Sequence, residues 1–341
     1  MSISQISSIT RRATRTDDEP LNILTFPTHE RYEQSLSKTD NNFYAYMSEG
    51  SKEWNTDYSP VPKNYHILDK NMGDNQLPLN IDLDLVLCHT YDQQLMIASQ
   101  ISDYLSVPLV ILCHILPDIR MSPEQQTDTI RRCQSIQSDA HIFISDYSRR
   151  KWGRTGFDSH VIRHGLDTDF WCPKKEDSRK EHHALSVVNY WASRDWCCGF
   201  NLWQRVIEGI PYKVAGDNPG MSTAAKSLEE LRSFYRDCKV FVNTSIHSPV
   251  PTTLIEAMSC GCAVVSTENC MIPEVIEHGK NGFMSNDEKE LKKYINMLLE
   301  DESLRESMGR EARKTIVESH NLDRFTEDWN SLFNKVVEEM S

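Results

Sequence analysis

The sequence predicts an α/β protein made of two doubly wound, Rossmann-like domains facing a cleft. Three observations carry this. Short apolar runs alternate with amphipathic segments almost from end to end, the pattern of parallel strands covered by helices. The alternation is broken once by His164-Gly165-Leu166-Asp167 and then starts again. At 341 residues the chain is long enough for two cores.

The elements follow in order. Residues 1–20, MSISQISSITRRATRTDDEP, are polar and lack the apolar stretch of a secretory signal. They are expected to form a flexible tail. Apolar runs predict strands at 22–27, 43–47, 83–89, 109–114 and 140–145, with helices at 91–105 and 123–136 and a shorter one after Asp146. Residues 48–80, rich in Pro, Asn, Asp and Tyr, read as loop with one short strand near 65–68. A strand ends at Val161–Ile162, which closes a first domain over 21–163. The second set has strands at 185–190, 212–215, 239–243 and 263–266, with helices at 200–208 and 227–238 and a short one that opens at Pro251 and ends at Gly261. From Asp287 the chain reads as helix at 287–300, 302–318 and 322–339, so the second domain spans 164–322. The last helix carries an apolar stripe of Phe325, Trp329, Leu332, Phe333, Val336 and Val337, a packing face for core.

Composition limits the partners. No apolar run approaches the roughly 18–20 residues that span a bilayer, so no stable membrane insertion is expected. A net charge of −13 opposes broad attraction to nucleic acid or anionic lipid. The one local basic cluster, SRRKWGR at 148–154, reads either as a patch or as a solvated helix face. The ten cysteines include two close pairs, Cys197–Cys198 and Cys260–Cys262, and neither has a second pair at zinc spacing. Reduced thiols in a cytoplasmic protein are expected. Oligomeric state has no signature here.

Residues 251–266, PTTLIEAMSCGCAVVS, concentrate the functional signal. A short helix opens on Pro251, Thr252 and Thr253, holds one acid, Glu256, and ends at Gly261 before a buried strand. A helix start presents unpaired N–H groups and a positive dipole end, a natural seat for phosphate. Glu256 lies four residues past Thr252 and three past Thr253, so the three share a helix face. Taken alone, Glu256 could equally be a solvated helix acid.

Four stretches together resemble the family 4 retaining glycosyltransferases. They are DLVLCHT at 84–90, VIRHGLDTDF at 161–170, PTTLIEAMSCGCAVVS at 251–266 and IPEVIEHGKNGF at 272–283. The resemblance implies the GT-B fold, with the last helix, 323–341, crossing back to the first domain. It also implies a nucleoside-diphosphate sugar donor such as a UDP-sugar, transfer with retention, and neither cofactor nor metal. In that reading Thr252 and Thr253 hold the diphosphate, Glu256 accepts ribose hydroxyls, and Arg194 and Lys226 supply positive charge. Gly216, in VAGDNPG, brings backbone to the base. His114, and less directly His89, end strands beside the reacting sugar as the catalytic candidates. A leaving diphosphate that takes the acceptor proton itself needs no dedicated base.

The chain departs from the family pattern at identifiable points. Ser248, beside His247, stands where the family has a sugar-binding glutamate, and Pro251 stands where it has glycine. Proline has no N–H to offer. Cys198 replaces a lysine, and His164 replaces an asparagine. The loop after the first strand lacks glycine and places Thr28, His29 and Arg31 on the acceptor side. The acceptor is then a glycan, a small molecule or DNA. A GT-B protein that binds nucleotide or glycan without turnover is the alternative. Two D-x-D pairs, Asp82–Asp84 and Asp167–Asp169, resemble a metal–diphosphate signature, but the first precedes a strand and the second lies in the interdomain segment.

Overall fold

The computed structural model describes residues 3–340 apart from 17–18, 48–50, 52, 57–58, 78–80, 90–92 and 175–182. The chain forms two compact units. The first comprises Met1–Ile144, Arg149–Gly165 and Asp323–Ser341, and the second Ser145–Ser148 and Leu166–Leu322. The short segment 145–148 thus belongs to the second unit although it lies inside the first in sequence.

The first unit holds a seven-stranded sheet of β1 (Asn22–Phe26), β2 (Asn42–Ala45), β3 (Tyr65–Ile67), β4 (Leu85–Cys88), β5 (Leu109–Cys113), β6 (Ala140–Phe143) and β7 (Ser159–Val161). Its order is β3-β2-β1-β4-β5-β6-β7, all parallel. The helices of its sequence are α1 (Ile3–Thr14), α2 (Glu30–Leu36), α3 (Gln93–Leu105), α4 (Pro123–Ser135) and α5 (Asp146–Lys151). The order reverses between β1 and β4. In open parallel sheets ligands gather outside the carboxyl ends at such a switch point. The predicted strands 83–89 and 109–114 stop at Cys88 and Cys113, so His89 and His114 are the first residues beyond that edge.

The N-terminal segment is not the flexible tail that its polarity suggested. Residues 3–14 form α1, with Ser8 and Arg12 buried. Arg11 Nε donates to both carboxylate oxygens of Asp84, at 3.0 and 3.1 Å, and an Arg12 guanidinium N–H donates to the Ser106 carbonyl at 2.7 Å. Polar side chains with specific partners hold this helix, and composition alone does not register such partners.

The second unit holds β8 (Ala184–Val187), β9 (Tyr212–Ala215), β10 (Val240–Asn243), β11 (Ala263–Ser266) and β12 (Phe283–Met284). They form a parallel sheet of order β12-β11-β10-β8-β9, with its switch between β8 and β10. Its helices are α6 (Asp195–Cys198), α7 (Phe200–Ile207), α8 (Leu228–Asp237), α9 (Thr252–Ser259), α10 (Glu288–Glu300) and α11 (Glu302–Ser319). Trp191, Trp203, Val240, Val242, Val265, Ile295 and Leu298 build its core.

The last helix, α12 (Leu322–Glu339), packs into the first unit, in agreement with the fold class expected. All six residues of its apolar stripe are buried, and Trp329 Nε1 donates to the Tyr32 hydroxyl at 3.2 Å. Gly165 makes the approach possible, because a Cβ there would meet the Phe325 ring at 2.5 Å.

Candidate active site

In the first unit, Thr25 at the end of β1, the start of α2, and the residues after β4 and β5 meet at the carboxyl edge of the sheet. The sequence reading took 26–33 as loop. The structure makes Glu30–Leu36 a helix whose buried face carries Glu30, Tyr32, Glu33 and Leu36. Thr28 and His29 are exposed before it, His29 as its N-cap residue, and Arg31 is half-buried on its first turn.

That helix brings two unforeseen residues, Tyr32 and Glu33, against the predicted histidines. Tyr32 packs edge-on against the rings of His114, His164 and His89, with centroids 4.6, 5.2 and 6.0 Å away. His89 Nδ1 lies 3.1 Å from His114 Nε2 and 3.3 Å from Glu33 Oε1, while its Nε2 lies 3.3 Å from the Thr25 hydroxyl. The Tyr65 hydroxyl donates to Glu33 Oε2 at 3.0 Å. Burial pushes Glu33 up to about 8, His89 down to about 3 and His164 down to about 4. His114 is pushed well below the usual range by burial first, then by its neighbours His89, His164 and His29. The histidines are therefore neutral hydrogen-bonding groups.

His89, 3% exposed and engaged at both ring nitrogens, does not stand ready to touch a substrate. It backs His114. Thr90, the small hydroxyl residue of the 84–90 stretch, lies outside the described residues. The signal that would have found Glu33 was weak, since a carboxylate in a short polar stretch looks solvated until the fold buries it.

In the second unit the candidates follow β8 and β10, the two strands at the switch, and β9 beside them. Helix α9 begins after Pro251, whose carbonyl accepts from Leu254 and Ile255. Among the described residues, the N–H groups and hydroxyls of Thr252 and Thr253 have no hydrogen-bond partner. Thr252 is exposed and Thr253 half-buried, so two donors and two hydroxyls converge at one helix tip.

Glu256 is not the solvated helix acid that its local sequence also allowed. It is 1% exposed, and its Oε2 accepts the Tyr235 hydroxyl at 2.9 Å. The reason is tertiary: Leu254, Ile255, Ala257 and Met258 are also buried, so α9 is internal beyond its first two residues.

The loop after β8 carries Arg194, which is exposed. No ion pair with Asp195 forms, because the Asp195 carboxylate accepts from the backbone and side-chain N–H groups of Asn201 at 2.7 and 2.6 Å. Burial pushes the Cys198 thiol up to about 12, so it stays neutral where the family pattern has a cation. Lys226 is exposed, and its N–H donates to Glu230 at 2.5 Å. Gly216 has φ +121°, and a Cβ there would stand 2.0 Å from the Val188 carbonyl. Only glycine fits that approach. His247 is half-buried near Trp196, with ring centroids 6.1 Å apart. Ser248, beside it, is half-buried and has no hydrogen-bond partner among the described residues.

The D-x-D pairs have structural roles. Asp84 is fully buried on Arg11 and the Asn22 N–H, and Asp167 accepts from the Asp169 and Phe170 N–H groups. No group of three or more metal-type side chains occurs among the described residues.

Residues 222–315 match the profile of the family described as Glycosyl transferases group 1. The chain is similar to the alpha-maltose-1-phosphate synthase of Mycolicibacterium smegmatis, 22% identical over 76% of this chain and 83% of that protein. It is also similar to the N-acetyl-alpha-D-glucosaminyl L-malate synthase of Bacillus anthracis, 31% identical over 25% of this chain and 23% of that protein. Further curated relatives, such as the capsular glycosyltransferase CapM of Staphylococcus aureus, match over about a third of their length or less. Among solved structures, Anabaena HepE in complex with UDP and glucose superposes with a TM-score of 0.72 at 14% identity, covering 92% of this chain and 99% of that one. Sucrose-phosphate synthase of Thermosynechococcus elongatus gives 0.71 at 13% identity, covering 94% and 100%. Two parallel Rossmann-like sheets of this kind define the GT-B fold. The chain has the GT-B fold, and residues 222–315 match the group 1 glycosyltransferase family.

Proposed function

We propose that the protein transfers a sugar from a nucleoside-diphosphate donor to an acceptor hydroxyl, with retention at the anomeric carbon and without a metal. The observation that carries this is the α9 tip, where the N–H groups and hydroxyls of Thr252 and Thr253 have no partner within the described protein. A diphosphate answers that arrangement, and the exposed Arg194 guanidinium, following the other switch strand, answers its charge. UDP is the nucleotide to test first, since it occupies the similar HepE structure. Gly216 supplies backbone for the base, while His247 and Ser248 border the sugar. Thr28, His29 and Arg31 form the acceptor side, with His114 as the group nearest the chemistry. Ten cysteines without a disulfide suit a reducing, cytoplasmic setting.

A thermal-shift series with UDP, GDP and ADP, followed by donor consumption read by anomeric NMR, tests this reading. Stabilisation by one nucleotide and an α-linked product from an α-linked donor are expected. Absence of both overturns it.

Two replaced positions favour a second reading, binding without turnover: neutral Cys198, and Pro251 with no N–H. It predicts nucleotide stabilisation with no donor consumed. A DNA acceptor has less support, because Arg154 of the basic cluster is 9% exposed and paired with Asp158 at 2.5 Å.

A further inference from the structure

Glu33 connects the interior of the first unit to the candidate catalytic histidine. Tyr65 hydroxyl, Glu33 carboxyl, His89 ring and His114 ring follow one another at 3.0, 3.3 and 3.1 Å; the outer two steps are hydrogen bonds, whereas Glu33 Oε1 approaches His89 Nδ1 as a buried oxygen without a hydrogen-bond partner of its own. Glu33 is fully buried, and the backbone N–H of Thr28 also reaches its carboxyl. His89 is held from the other side by Thr25, and among the described residues its Nδ1 faces Glu33 and His114. Among the described residues, Nδ1 of His114 has no hydrogen-bond partner. The row therefore ends on one open ring nitrogen.

We propose that Glu33 is a positioning residue that acts through His89 to decide which ring nitrogen of His114 carries the proton. When Glu33 is neutral, its Oε1–H donates to a bare His89 Nδ1, and the His89 proton sits on Nε2 toward Thr25. Two bare nitrogens 3.1 Å apart would repel, so His114 holds its proton on Nε2 and leaves Nδ1 as an acceptor. When Glu33 loses its proton, His89 carries hydrogen on Nδ1, which donates to Glu33 and toward His114. His114 Nε2 is then bare, and its proton moves to Nδ1, which becomes a donor. One proton leaves the row, and each imidazole stays neutral and changes tautomer.

The surroundings favour the neutral start. Glu30 on the same helix disfavours a second negative charge, and burial opposes it further. Tyr65 faces Oε2, and Tyr32 covers the histidine rings. Among the described residues, His29, His164 and Arg324 are the other charged or titratable groups that bear on the histidines. Near pH 7 the open nitrogen of His114 is thus an acceptor, suited to a sugar hydroxyl. Above about pH 8, where Glu33 titrates, it becomes a donor.

Long-range proton–nitrogen NMR on the full chain with 15N-labelled histidine tests the tautomer directly, with His114→Gln assigning the signal. The wild type is expected to show Nε2–H at pH 6.5 and Nδ1–H at pH 9. Glu33→Gln should hold the Nε2–H form at both, because its amide donates to His89 as the neutral acid does, and Glu33→Asp should restore the pH response. A His114 tautomer that does not change with pH in the wild type overturns the proposal, even if no variant folds. The kinetic consequence rests on the transferase reading. There kcat should fall about tenfold or more from pH 6.5 to 9 in the wild type but less than about twofold in Glu33→Gln, with donor KM little changed. A tautomer switch without any sugar transfer would overturn the transferase reading and leave this one standing.

Discussion

Glu33 Oε1 lies 3.3 Å from His89 Nδ1, with both side chains fully buried. An acid and a base in direct contact, each shifted by burial toward its neutral form, make the stability of the first unit depend on pH in two opposite directions.

The sign follows from proton counts. Glu33 rises to about 8, so between pH 4.5 and about 8 the folded chain holds a proton that the unfolded chain has lost, and stability falls as pH rises. His89, His164 and His141 drop to about 3, 4 and 3, so below pH 6.5 the unfolded chain binds protons that the folded chain refuses. Their contribution is lost as pH falls. The melting temperature should peak near pH 6.5, and Glu33→Gln should remove the decline toward pH 8 and steepen the rise from pH 5 to 6.5, because Glu33 opposes the histidines from pH 4.5 upward. Scanning calorimetry at pH 5, 6.5 and 8 checks this; equal alkaline slopes in both proteins would contradict it.

Tyr235→Phe removes the hydroxyl held by the buried Glu256 carboxylate. A buried acceptor that loses a donor costs about 1–3 kcal/mol. Urea unfolding should show that loss with an unchanged m-value. A change within about 0.3 kcal/mol would mean that Glu256 is held by other means.

Thr252→Val and Thr253→Val delete the hydroxyls at the α9 tip and keep the shape. Because Thr252 is exposed, its substitution should shift stability by less than about 0.5 kcal/mol. Nucleotide affinity should drop about three- to tenfold in each, as for a charge-assisted hydrogen bond worth about 1 kcal/mol. Titration calorimetry with UDP reads it directly.

Arg11→Ala removes the guanidinium from Asp84, which is fully buried. Burial already raises Asp84 above the ordinary carboxylate range, and Arg11 opposes that rise. The variant should lose about 1–3 kcal/mol at neutral pH, and less as pH falls and Asp84 takes up its proton. A loss that does not change with pH would assign the effect to packing of α1.

Most of the strands and the long helices were legible in the sequence, because apolar runs and the stripe from Phe325 to Val337 have periods that only one kind of element satisfies. Helices α1 and α2 were not. Both are polar segments, and their helical state depends on partners such as Asp84 and Tyr65 that lie 32 to 73 residues away. The candidate site divides in the same way. Thr252, Thr253, Arg194 and Gly216 follow strand ends, and a motif is enough to find them.

By itself the sequence determined a doubly wound pair of domains and which strand ends carry polar chemistry, since these follow from local periodicity and short motifs, while the return of the last helix followed from the family resemblance. Only the tertiary structure decided that Glu256 turns inward to Tyr235 and that Glu33, unremarkable in the sequence, stands behind His89 and His114. Burial is a property of the whole fold. It decides whether a carboxylate is a solvated surface charge or a proton-holding group, and no local pattern encodes that difference.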